Sequence, residues 1–275
     1  MRMFSGASRH RRDNWELSLV DTRNSAGHPL SGSSWLEAHH QAKRAERRAF
    51  LQRVVDLQPS RVVDLGCGTG LWLQELDDVL PASCELIGCD HDHAALTEAL
   101  NRASCWQRKT CFERRDLCDD KHDLPDADVA LLFNVSAYIP NLDCLLQRVS
   151  RNVRHLLIRQ YDGATMRFGP MSTTDRALID DSLRSSVANS RQFHHFGIDR
   201  VHQAIHRSTY ANRDIEFEAF SRTSPFPAEF TRYFERMLDW TRACLSPAAA
   251  ERLELWRTAT QSAYFCEVDL VASLS

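Results

Sequence analysis

Three aspartates and a glycine-rich turn are the residues of this chain whose types and spacing can do chemistry. Val62-Val63-Asp64-Leu65-Gly66-Cys67-Gly68-Thr69-Gly70 reads as a short apolar strand entering a turn. Its glycines adopt backbone conformations that other residues rarely reach, and they let the main chain approach a ligand. The helix that follows, LWLQELDDVL, offers unpaired N–H groups at its start. Asp64 stands inside the apolar strand, where a carboxylate persists only by accepting hydrogen bonds or pairing with a cation. Asp90 ends the next strand, CELIGCD, and in a parallel sheet it reaches the same edge. A charged acceptor there can take both hydroxyls of a ribose. Asp116 ends a third strand, CFERRDL, where it or the Leu117 backbone can read the exocyclic amine of the base. Three carboxylates after three consecutive strands predict one acid-lined cleft.

A dinucleotide site would need GxGxxG to cradle a pyrophosphate. Counted from Gly66, the third glycine position holds Leu71, and Asp64 would turn a negative charge toward the phosphates. A cationic ligand without phosphate suits the cleft better.

The elements that must position these residues follow from periodicity. Residues 1–32 are basic and then turn-rich, and read as a mobile arm. A helix is predicted over about 34–57, capped by Ser33 or Ser34, with Trp35, Ala38, Ala42, Ala45, Ala49, Val54 and Leu57 on one face and Pro59 ending it. After the three strands come DVALLFN, the helix NLDCLLQRVSR and a fifth strand, VRHLLIRQY. Apolar strands alternating with helices of about ten residues specify a doubly wound α/β sheet. The second half adds the polar stretch DGATMRFGPM, helices near Thr173–Val187 and in IDRVHQAIHRS, and a sixth strand, DIEFEAF. Two more helices follow, the second with Ser246 as cap and Pro247 at its first position, before the terminal strand YFCEVDLVA. Such long interruptions read as a lid over the carboxyl edge.

These residues resemble the class I S-adenosylmethionine-dependent methyltransferases over about 59–160, and the terminal strand fits as well. The resemblance implies S-adenosyl-L-methionine as cofactor. It implies a seven-stranded, mostly parallel Rossmann-like sheet with an antiparallel last strand, to which the elements read above add an N-terminal helical lid and helical insertions around strand six. On it, Gly66, Cys67, Gly68 and Gly70 hold the methionyl part, and Asp64 acts through a water or on the ammonium group. Asp90 holds the ribose, His91 packs near the adenine, Asp116 and Leu117 meet its edge, and Asn134 completes the cofactor set. Read together, the domains expected are 1–58, an arm and lid helix, and 59–275, the S-adenosylmethionine-binding methyltransferase domain with cap insertions at about 162–213 and 221–263.

The acceptor side is expected beyond strands four and five. LLFNVSAYIPN places Asn134, Ser136 and Tyr138 there, departing from the Asn-Pro-Pro-Tyr and Asp-Pro-Pro-Tyr signatures of amino-methylating enzymes, and no Pro-Cys nucleophile occurs. Arg159, Tyr161 and Arg167 are expected to bind substrate, the two guanidiniums suiting an acidic acceptor. Tyr138, His194 and His195 are the candidate catalytic residues, either imidazole being able to act as general base; the alternative is a histidine tied to backbone. Trp35, with Tyr161, Phe168, Phe193, Phe196, Tyr233, Trp240 and Tyr264, lines an apolar pocket or forms the lid's own core. His39 and His40 lack a liganding pattern, and Asn134, Asp143 and Asp162 make no convincing metal set, so the expectation is metal-independent chemistry.

Composition narrows the function. Lys and Arg number 34 against 37 Asp and Glu, a net charge of −3, which argues against nucleic-acid binding by bulk charge. The nine cysteines form no CxxC pair and read as buried free thiols of a cytoplasmic protein. No 18-residue apolar run appears, so no membrane association is expected. The reading is a monomeric or homodimeric enzyme that O- or N-methylates a small molecule, of the specialised-metabolism kind. Two alternatives stay open: an enzyme of the same fold that cyclises or cleaves S-adenosylmethionine without methyl transfer, and a non-catalytic cofactor-binding regulatory module.

Overall fold

The computed structural model describes residues 32–120, 123–187, 194–260 and 262–275. The N-terminal arm up to residue 31, and Phe193, lie outside them. Two helices, α1 (Ser33–Ala42) and α2 (Arg44–Asp56), precede an alternating series: β1 (Arg61–Leu65), α3 (Leu71–Val79), β2 (Glu85–Asp90), α4 (His93–Ala103) and β3 (Thr110–Arg114). β4 (Ala127–Phe133), α5 (Leu142–Asn152) and β5 (Val153–Tyr161) continue it. β6 (Arg167–Gly169), α6 (Thr173–Val187), α7 (Ile198–Arg207), β7 (Arg213–Thr223), α8 (Ala228–Cys244), α9 (Pro247–Ala259) and β8 (Tyr264–Leu274) complete the chain.

Strands β3-β2-β1-β4-β5 pair in parallel, and β8 lies antiparallel between β5 and β7. The order reverses between β1 and β4, and in such sheets the crevice at that switch point is where ligands bind. Side chains alternate across each strand. Val63 and Leu65 therefore enter the core shared with α5 and α7, while Val62 enters the one shared with α2 and α3. Asp64, two residues on, takes the α2 face.

Three expectations are corrected. The helix expected over 34–57 is two helices, broken at Lys43, whose φ of −120° and ψ of 17° are not helical. The break changes the phase of the buried face: Lys43 and Arg47 are buried, whereas Ala45 and Ala49 are exposed. It lets α1 pack on α8 through Ala38 and Ala42 while α2 covers the sheet through Phe50, Leu51 and Val54. Neither serine caps α1; Ser33 donates to Glu98 and Ser34 accepts from Arg236. Second, the polar stretch after β5 contains β6, which pairs with the start of β8 on the side where β5 pairs with its end. The eight strands thus occupy seven positions, with β5 and β6 forming one ladder interrupted at 162–166. Third, only Cys67, Cys84, Cys89 and Cys244 are buried; all nine thiols are free, and Cys105, Cys111 and Cys118 are exposed.

Ser246 does cap α9, accepting from the Ala249 N–H at 3.5 Å, with Pro247 as first helical residue. Helices α1, α6, α8 and α9 enclose a separate aromatic core containing Phe168, Phe220, Phe230, Tyr233, Phe234 and Phe265. Among the described residues no helix is long and apolar enough to cross a membrane.

Candidate functional site

The turn after β1 is drawn onto the end of β2, because the Gly66 and Cys67 N–H groups both donate to the Cys89 carbonyl, at 2.7 and 3.0 Å. Gly66, Gly68 and Gly70 all have positive φ, of 84°, 51° and 76°. A Cβ on Gly66 would stand 2.3 Å from Val135 Cγ2, so this position excludes a side chain on steric as well as conformational grounds. Asp90 closes the turn: Oδ2 accepts the Gly68 N–H at 2.8 Å and Oδ1 accepts the Asp92 N–H at 2.9 Å, with His91 Nδ1 at 3.4 Å. Burial alone would raise this carboxyl, but the bonds from His91, Asp92 and Gly68 outweigh it and hold Asp90 below the usual carboxylate range. His91 is raised by its bond to Asp90 and is 68% exposed.

Asp64 is the opposite case. Its side chain is buried and Oδ2 has no hydrogen-bond partner. Burial first, and then the Asp90 charge, push its carboxyl up to about 7 against the opposing pull of Arg47. A folded-state pKa above the ordinary 3.8 means that its protonated form favours the fold. That contribution is fully present below the ordinary value and is lost as pH rises through about 7. The melting temperature of the ligand-free protein is therefore expected to drop more between about pH 5 and about pH 8 than that of Asp64→Asn. Equal slopes in thermal denaturation would contradict the raised value. The Cys67 thiol is raised well above its ordinary value by burial and then Asp64, so it stays neutral.

β3 ends at Arg114, so Asp116 falls in the turn beyond it, exposed, with Oδ1 accepting the Cys118 N–H at 2.9 Å. The Leu117 side chain is buried and its carbonyl accepts from Arg148 at 2.9 Å, which fixes the peptide at that edge.

On the other side of the switch point, Asn134 joins the ends of β4 and β5. Its N–H donates to the Arg159 carbonyl at 2.8 Å and its Oδ1 accepts the Tyr161 N–H at 3.2 Å, a double link that uses a left-handed φ of 58°. A single helical turn, Ser136–Tyr138, follows, and the His194 N–H donates to the Ala137 carbonyl at 2.7 Å. Tyr161 Oη lies 3.3 Å from His195 Nδ1. His195 is buried against Phe196 and the α8 residue Trp240, and its carbonyl accepts the Gly163 N–H at 2.9 Å. A Cβ on Gly163 would fall 2.1 Å from His195 Nε2, so only glycine allows the imidazole this place. Burial, then Arg184, lowers His195 to about 4, and burial raises the Tyr161 phenol; both groups are neutral near pH 7. His194 is half-buried and also lowered, by burial and then Arg200.

The structure thus brings Asp64, Gly66, Cys67, Gly68, Gly70, Asp90 and His91 to one turn, and Asn134, Tyr161 and His195 to the adjoining strand ends. It does not leave Arg159 for a substrate: the buried guanidinium donates to Asp269 at 2.8 Å and Glu218 at 2.7 Å. Arg167 is exposed on β6 and donates to Tyr264 at 3.2 Å. Trp35 packs in the cap core, 5.5 Å from the Tyr233 ring. Sequence reasoning passed over a buried polar seam on α1 and α2. His40 bridges Arg47 and Glu75; Arg44 and Arg48 also bind Glu75; Lys43 pairs with Glu267 of β8. Among the described residues no group of three or more His, Cys, Asp or Glu is placed to hold a metal ion.

Residues 63–156 match the family model described as a methyltransferase domain. A protein-lysine N-methyltransferase, efm4 of Schizosaccharomyces pombe, is 35% identical over 92 residues, covering 31% of this chain and 36% of that protein. The chain thus spans about a third of that relative's length. In fold, the chain is similar to a candidate methyltransferase from Bacillus halodurans, with a TM-score of 0.53 at 12% identity over 82% of this chain and 97% of that one. It is also similar to YcgJ of Bacillus subtilis, with a TM-score of 0.54 at 9% identity over 84% and 97%. A cyclopropane-fatty-acyl-phospholipid synthase-like protein from Lactobacillus casei matches with a TM-score of 0.53 at 18% identity over 86% and 92%.

Proposed function

We propose that this chain is a class I S-adenosylmethionine-dependent methyltransferase, that the carboxyl edge of its sheet binds S-adenosylmethionine and that the enzyme methylates an oxygen or nitrogen of a small molecule, a reading supported by the methyltransferase-domain match over residues 63–156. The observation that carries the cofactor reading is the pairing of two unlike carboxylates around one glycine turn. Asp90 is held ionised, as an acceptor for ribose hydroxyls must be, and Asp64 keeps a buried oxygen without a donor, as a site awaiting an ammonium would. The exposed Asp116 and the fixed Leu117 peptide provide the base-reading edge.

When bound, the cofactor supplies an electrophilic methyl group on a sulfonium. Alignment and exclusion of water fall to the protein. Helix α1 lies against the turn, with Leu36 Cδ1 3.2 Å from where a Gly68 Cβ would stand, and α8 places Trp240 on His195 with ring centroids 5.1 Å apart. These helices support a small acceptor, since a protein chain would need that edge open. Tyr161 Oη accepts the hydrogen bond of the incoming hydroxyl or amine and passes its own proton to His195 Nδ1. A weakly basic imidazole suffices, because the attacking atom becomes strongly acidic as it gains the methyl group.

The test is to incubate the purified protein with S-adenosylmethionine, with and without candidate small acceptors, and to separate the nucleosides by mass spectrometry. The expected products are S-adenosylhomocysteine and an acceptor heavier by one methylene. Enzyme-dependent methylthioadenosine from cofactor alone would replace methyl transfer by cyclisation of the amino-acid part. Methylation of protein lysine alone would overturn the small-molecule assignment.

A further inference from the structure

Helix α2 carries a cation that has no anion within ion-pair distance among the described residues. Arg47 is buried on α2, and among the described residues no carboxylate lies within ion-pair distance of its guanidinium. Its hydrogen bonds go instead to two imidazoles: Nη1 donates to His40 Nδ1 at 2.7 Å and Nη2 approaches His39 Nδ1 at 3.4 Å. Both imidazoles are neutral acceptors. Burial, then Arg47, holds His40 near 4 even though its Nε2 lies 2.9 Å from Glu75, and burial with Lys43 and Arg47 depresses His39 well below its ordinary value. Two of the five guanidinium N–H groups are thereby used. A buried charge is normally kept only where something of opposite sign meets it.

The position says what that partner is. The guanidinium stacks 4.6 Å above the ring of Trp72, which lies two residues beyond Gly70 in the first turn of α3. Arg47 thus lies against the first turn of α3, the helix that the glycine turn leads into. Asp64 is buried on the same face of the sheet with an oxygen lacking a hydrogen-bond partner; after burial, Arg47 feels Arg159 and Asp269 most and Asp64 more weakly, and it bonds to none of the three. One cation without an anion in ion-pair distance and one carboxylate with a spare oxygen, buried on the same face of the sheet, are the complement of an α-amino-acid zwitterion.

We propose that Arg47 and Asp64 form a clamp for the amino-acid end of the cofactor, the guanidinium taking its carboxylate and the Asp64 oxygen accepting from its ammonium group. This rests on the cofactor reading above and adds a residue of α2 to it, so that α2 is held down by the cofactor itself. Arg47 gains the charge-assisted bonds that the imidazoles do not supply.

Calorimetry with S-adenosylhomocysteine and with its analogue lacking only the carboxylate, 5′-deoxy-5′-(3-aminopropylthio)adenosine, tests this. The wild-type protein is expected to bind the analogue about tenfold or more weakly, the worth of one bond to a charged group. Arg47→Leu should bind S-adenosylhomocysteine no better than the analogue and leave the analogue's affinity within about twofold, and Arg47→Lys should recover part of the loss. Equal affinity of the wild type for both ligands would overturn the clamp and leave the cofactor assignment standing. No binding of S-adenosylhomocysteine at all would overturn both. Should Arg47→Leu fail to fold, the wild-type comparison decides alone; should it weaken both ligands equally, Arg47 is a structural residue and the clamp falls.

Discussion

Asp90→Ala is expected to weaken S-adenosylhomocysteine binding by about a hundredfold or more in calorimetry, the largest loss of affinity for any single change at this site. Each hydrogen bond from a ribose hydroxyl to an ionised carboxylate contributes about 1.5–3 kcal/mol, and Asp90 stands to accept two. The structure adds a second cost, because the same carboxylate ties the Gly68 and Asp92 N–H groups, so its removal loosens the turn that approaches the ligand. Asp90→Asn keeps one acceptor and loses the charge, and is expected to fall between wild type and alanine. A folded Asp90→Ala protein with wild-type affinity would remove the ribose assignment.

Arg159→Leu is expected to lower unfolding stability by about 3–5 kcal/mol in urea titrations, while the protein that remains folded binds S-adenosylhomocysteine normally. Arg159 bonds to Asp269, which is as buried as the arginine itself, and to the half-exposed Glu218, and its guanidinium also lies 5.5 Å from the Phe50 ring centroid. Taking away the cation leaves Asp269 desolvated and uncompensated, whereas Arg159→Met combined with Asp269→Leu removes both charges and should recover much of the loss. A stable Arg159→Leu enzyme with an impaired acceptor KM would instead return Arg159 to the substrate site, where the sequence alone had placed it.

The local pattern determined the half of this protein that we propose binds the cofactor. The run from Val62 to Gly70, Asp90 at the end of an apolar strand and Asp116 after the next one are short-range signals, because strand length, turn chemistry and sheet direction are set by neighbouring residues. Parallel strands joined by helices bring their carboxyl ends to one edge whatever the details of packing. The structure moved Asp116 into the turn beyond β3 without moving it from that edge. Ser246 and Pro247 marked the start of α9 for the same local reason.

Only the tertiary structure decided the other half, because there the meaning of a residue depends on what faces it across a long sequence separation. Arg159 looks like a ligand at a strand end until β8 delivers Asp269 and β7 delivers Glu218 beside it. The break at Lys43 turns Ala45 and Ala49 outward and Lys43 and Arg47 inward, and Lys43 finds Glu267 more than two hundred residues away. Nothing in the sequence marks His40 and Arg47 as partners until Glu75 meets the one and Trp72 the other. Helical periodicity reports which residues share a face. It cannot report that the face is buried against charge rather than oil, since that is set by the desolvation and pairing of groups brought together only when the cap closes on the sheet.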